Sequence, residues 1–126
     1  MISKLIIFSS LYFCFNVLNI EKQLPVKVWI DIEGELPNLS LKAMLLNNGD
    51  KDLSLSYVLK ITKKGRLGES NSLQKGAFIA AQNKITSLSE SRMNLRKGDK
   101  LIARLLVYHD KIIVAQDSVV FHGDNY

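Results

Sequence analysis

Cysteine is almost absent from the 126-residue sequence: its one thiol, Cys14, lies inside the apolar N-terminus. A chain that loses this segment has no disulfide, no reactive thiol and no cysteine metal ligand, which excludes redox function for the mature form. Histidine is scarce too. His109 falls at a short turn and His122 near the C-terminus. A zinc site needs three or four ligands, and with neither HExxH nor paired Cys/His spacing both histidines read as solvated. No G-x-S-x-G nucleophile elbow occurs among the many serines. Gly65-Arg66-Leu67-Gly68 is too short for a phosphate loop and leads into no helix, so it reads as a turn. Asp31, Glu33 and Glu35 crowd one strand, where a solvated face explains them better than acid/base chemistry, which needs a concave pocket. No enzymatic activity, metal, cofactor or small-molecule substrate is expected.

What remains has an ordinary globular composition, 47% hydrophobic and 23% charged, and its length allows one compact domain. That size rules out a multidomain enzyme and favours a binding or scaffolding module. Residues Met1 to Ile20 carry a single charge, Lys4, ahead of Leu5-Ile6-Ile7-Phe8 and an apolar stretch ending at Ile20. This is the plan of a signal peptide, without an Ala-x-Ala to mark the cut. Ser9, Ser10 and Asn16 interrupt the stretch, leaving it short of the ~20 apolar residues of a membrane anchor. Tyr12-Phe13 before Cys14 argues against lipidation. The sequence therefore divides into a leader, 1–20, and a domain, 21–126, and predicts export of the mature chain from the cytosol.

The mature chain alternates apolar and polar residues with period two, the mark of β-strands. Val26, Val28, Ile30 and Ile32 share one side of a first strand, and Leu39, Leu41, Ala43 and Leu45 form a second. Asn47-Asn48-Gly49-Asp50 reads as a turn that uses residues tolerant of positive φ. Leu53, Leu55, Tyr57, Leu59 and Ile61 give the cleanest alternation. A fourth strand, Ser70–Ala80, contains Gly76, which signals a bulge or a close backbone approach. Ile85–Leu95 is a weaker, serine-rich fifth. Leu101, Ala103, Leu105 and Val107 make the sixth, and Ile112–Phe121 the seventh. Seven strands without a helix predict an all-β fold, an immunoglobulin-like antiparallel β-sandwich, with a small barrel as the alternative. Val28, Ile30, Leu41, Leu45, Tyr57, Leu59, Phe78, Leu105 and Val114 are expected in one core.

Net charge is +5, and loss of Lys4 lowers it by one. Lys60, Lys63, Lys64 and Arg66 gather at the end of the third strand, with Lys75 on the fourth opposite them. This group is the candidate partner-binding site, because complementary charge steers an acidic polypeptide. Nucleic acid is disfavoured, since no aromatic residues interleave with these lysines for base stacking. Trp29 falls on the polar side of the first strand, and Ile102, Leu106 and Tyr108 make the sixth strand apolar on both faces.

From Tyr57 to Phe78 the pattern is Tyr-x-Leu-x-Ile-x-Lys-x-Gly-x-x-Gly-x-Ser-x-x-x-Gln-x-Gly-x-Phe. Here the sequence resembles the curli assembly accessory proteins of the CsgH and CsgC type, small bacterial immunoglobulin-like domains of the periplasm. The resemblance implies that the protein binds a curli-type amyloid subunit in a chaperone-like role and inhibits its premature aggregation; a monomer is expected. The Cys-x-Cys of the CsgC branch is missing, which makes CsgH the nearer comparison. The chain does not read as the fibre subunit itself, for it lacks repeated Gln/Asn-rich units of fixed period. The alternative is an exported immunoglobulin-like binding or structural module with an unrelated partner.

Overall fold

The computed structural model describes residues 24–123; the leader at 1–20 lies outside them. Seven strands follow in order: β1 (Val26–Glu35), β2 (Asn38–Asn47), β3 (Leu53–Gly65), β4 (Gly68–Ala80), β5 (Lys84–Asn94), β6 (Lys100–His109) and β7 (Ile112–His122). They form two antiparallel sheets, β1-β2-β5 and β4-β3-β6-β7. Two separate sheets with free ends make a sandwich of immunoglobulin-like type and exclude the closed barrel.

Alternation decides which side chains meet between the sheets. Leu55, Leu59 and Ile61 of β3 and Leu101, Ala103, Leu105 and Val107 of β6 face Val28, Ile30, Leu39, Leu41, Ala43 and Leu45 of β1 and β2, all buried. Tyr57, Phe78 and Val114 are only partly buried and pack against this core rather than within it. Tyr57 and Phe78 meet edge to face, their ring centroids 6.1 Å apart. Leu95, just past β5, is fully buried; its N–H donates to the Pro37 carbonyl at 2.7 Å and closes one end of the sandwich.

One local alternative is resolved and one expectation changes. Gly76 marks a close approach and no bulge: a Cβ there would lie 3.3 Å from Cε1 of Tyr57 across the ladder, and the β3–β4 register runs unbroken. The register shifts fall instead between Ala43 and Met44 on the β2–β5 side and between Val107 and Tyr108 on the β6–β7 side. Positive φ is likewise not what forms the Asn47–Asp50 turn, since none of its residues adopts it. A side chain holds it. Asn47, the last residue of β2, is fully buried. Its amide donates to the carbonyls of Lys51 at 2.8 Å and Ala80 at 3.0 Å, and its Oδ1 accepts the Gly49 N–H at 3.0 Å.

Candidate functional site

The four-stranded sheet turns one face to the core and the other outward, and strand pairing determines which charges share the outer face. Directly across from Lys60 lie Leu73 on β4 and Arg104 on β6. Lys64 faces Glu69 and Lys100, and Val58 faces Lys75 and Leu106. The strands of this face thus bring together Lys60, Lys64, Lys75, Lys100 and Arg104 against one carboxylate, Glu69. The Lys64–Glu69 pair is 3.6 Å apart and about half exposed, a geometry that contributes little to stability. Among the described residues the other four cations have no ion partner. Val58, Leu106, Ile102, Val120 and the exposed Leu73 lie between them.

Like charges directly opposite each other across two strands are destabilising, by about 0.2–1 kcal/mol a pair. This sheet holds two such pairs, Lys60–Arg104 and Lys64–Lys100. Solubility alone would be served as well by alternating signs.

The expected cluster is therefore split. Lys60, Lys64 and Lys75 stand on the outer face. Lys63 has the opposite parity and points toward the space between the sheets, where its ammonium donates to the Asn94 carbonyl at 3.0 Å. Arg66 is at the tip of the β3–β4 turn, and with Lys63, Arg96 and Lys97 it lines an open cleft between that turn and the β5–β6 loop. Sequence reasoning missed Lys100 and Arg104. Their parity in β6, in phase with Ile102 and Leu106, was readable, but the pairing of β6 beside β3 was not.

The remaining candidates sit elsewhere. Asp31, Glu33 and Glu35 lie on the outer face of the three-stranded sheet, with Glu33 3.3 Å from Lys42 in an exposed pair. Trp29 stands beside them, opposite Met44, its indole N–H donating to Asp31 at 3.2 Å. His109 and His122 are at opposite ends of the β6–β7 ladder. Among the described residues no three His, Cys, Asp or Glu side chains gather to hold a metal, and no helix is long and apolar enough to cross a membrane.

No protein-family model matches the sequence, and no curated protein matches it either. Solved structures do. The E. coli curli protein CsgC superposes with a TM-score of 0.64 at 10% identity, covering 74% of this chain and 96% of that one. CsgH of R. palustris gives 0.57 at 19% identity, over 79% of this chain and 93% of its own. A β-glucuronidase from glycoside hydrolase family 2 matches at 0.54 and 6% identity, but only 13% of its length is involved. At these identities the likeness is one of fold, and it runs through nearly the whole length of CsgH and CsgC: the seven-stranded sandwich is of the curli-protein type.

Proposed function

We propose that the protein is a curli-type accessory protein, exported to the periplasm or beyond, which binds an amyloid fibre subunit and delays its assembly without catalysing a reaction. One observation carries the reading: the open face of the four-stranded sheet keeps five cations against a single carboxylate, two pairs of them directly opposed. Such a face attracts an acidic polypeptide and speeds encounter. The interleaved Val58, Leu73 and Leu106 offer apolar contact once it arrives. Likeness of fold to the curli proteins CsgC and CsgH supports a client of the curli type. Lys60, Lys64 and Lys75 would make the first contacts on the sheet, with Lys63 and Arg66 extending the positive surface around the β3–β4 turn.

The deciding experiment is thioflavin kinetics of a purified curli-type subunit with less than equimolar protein. A lengthened lag is expected. It should shorten again as salt is raised from 0.1 M to 1 M, where the Debye length falls from about 10 Å to about 3 Å. No delay at low salt would remove the amyloid reading. The alternative, an exported binding or structural module with another partner, would then stand, consistent with the β-glucuronidase, where a similar sandwich makes up 13% of a larger chain.

A further inference from the structure

Four strand edges end the two sheets, and they are not equally protected. On β1, the Ile30 N–H is capped by the Asp117 carboxylate at 3.0 Å. The β7 edge carries that inward-pointing carboxylate, and its ladder with β6 is broken by the extra residue Val114. The β5 ladder is interrupted at Leu88. Bulges and inward charges of these kinds are how natural sheets discourage pairing with another chain.

The β4 edge has none of them. It runs 13 residues in unbroken register with β3, contains no proline, and carries no inward charge. No side chain among the described residues caps its main chain short of Ala80, whose carbonyl accepts from Asn47. The hairpin geometry also says which backbone groups are free. Arg66 and Leu67 form a two-residue loop, so the flanking Gly65 and Gly68 are the hydrogen-bonded pair, and the alternation then proceeds by twos. Every second residue from Glu69 to Ile79 turns its N–H and C=O away from β3. These same residues, Asn71, Leu73 and Lys75 among them, point their side chains to the cationic face.

We propose that the free edge of β4, from Glu69 to Ile79, is a strand-addition site whose occupant is an extended, acidic, β-prone segment of the partner protein. The backbone supplies the affinity, and Lys75 with Lys60 behind it selects carboxylates on the outer side of the added strand. A second copy of the chain is the rival occupant. Antiparallel self-pairing about Ser72 would set Glu69 against Lys75 twice, but it would also join two faces that each hold five cations and one carboxylate. The proposal rests on the binding role argued above and names its edge and chemistry.

The test uses the full mature protein and a capped eight-residue peptide of alternating valine and glutamate. Amide exchange at Asn71, Leu73 and Lys75 should slow at least about tenfold with saturating peptide, a protection typical of newly paired backbone, and a valine–lysine peptide should leave it unchanged. Leu73→Pro, which removes an outward N–H and spares the ladder to β3, should abolish binding, as should Asn71→Pro. Leu73→Thr, which keeps that N–H and gives up only part of the apolar contact, should still bind and protect the same amides, more weakly than the wild type but far above the proline variant. A melting temperature within a few degrees of wild type would show that the proline variants fold. Protection confined to β5 or β7, or full binding by folded Leu73→Pro, would overturn the proposal. So would protection of β4 that rises with protein concentration in the absence of peptide, which would assign the edge to a second copy. The two readings fail separately: peptide capture at β4 with no delay of a curli-type subunit would refute the amyloid role and leave the edge site standing.

Discussion

Leu59 illustrates how much one side chain contributes here. It is fully buried, between Gln74 and Leu105 on the neighbouring strands, and its position was evident from alternation alone. Leu59→Ala should cost about 2–5 kcal/mol, the lost transfer energy plus the cavity left behind, read from denaturant unfolding. Asp117 is a different case. Its parity in β7 puts a carboxylate among inward-facing residues, which looks like an error in the apolar pattern until Ile30 is seen across the gap, its N–H 3.0 Å away. Asp117→Ala leaves that donor unpaired and should destabilise by about 1–3 kcal/mol; a melting curve equal to wild type would mean that water replaces the carboxylate. By its type Asn47 is a turn residue, and only the arrival of Ala80 from β4 reveals it as a buried tie between the sheets.

At the scale of elements, β2, β3 and β6 are plain because every second residue, from Leu39 to Leu45, Leu53 to Ile61 and Leu101 to Val107, is apolar with no slip in phase. β5 was weak for a reason the structure identifies. Leu88 is an extra residue opposite the Ala43–Met44 step, so the period slips by one and the two halves of the strand are out of phase. Turns show a similar contrast. The β6–β7 turn consists of Asp110 and Lys111, with φ of 50° and 68°, the left-handed pair that suits a two-residue hairpin and normally recruits glycine. Lys111→Gly relieves a side chain held in that region, and the gain exceeds glycine's extra chain entropy. It should stabilise the domain by about 0.5–1 kcal/mol, measured as a raised unfolding midpoint with an unchanged slope.

The whole molecule is organised by the contrast between its two outer faces. The four-stranded sheet presents Lys60, Lys64, Lys75, Lys100 and Arg104; the three-stranded sheet mixes Asp31, Glu33 and Glu35 with Lys42 and Arg92. Arg104→Glu tests whether the first arrangement serves binding at the expense of stability. It would turn the opposed Lys60–Arg104 pair into an attractive one, adding about 0.2–1 kcal/mol of stability, and should weaken the delay of fibre assembly. A variant both more stable and equally inhibitory would show that the face is not used. Reversing Lys60, Lys75 and Arg104 together should slow association with an acidic client by about tenfold or more at low salt, whereas reversing Lys63, Lys64 and Arg66 should do less, because only Lys64 of that set lies on the sheet face. Export makes a separate prediction at this scale: the intact mass of protein recovered outside the cytosol should correspond to a chain beginning between about Leu18 and Pro25.

Period-two alternation and glycine-flanked turns determined the all-β class by themselves, because which face of a strand is apolar is a local property of the chain; the choice of sandwich over barrel came from the strand order. The sequence also marked a basic region near the third turn. Which cations act together was decided only in three dimensions. Lys60 and Arg104 are 44 positions apart in sequence and adjacent across β3 and β6, while Lys63 and Lys64, neighbours in the chain, point to opposite sides of one sheet. Strand order is set by long-range packing between the two layers, which no local pattern encodes, and the same packing leaves β4 at the sheet's edge with neither a bulge nor an inward charge.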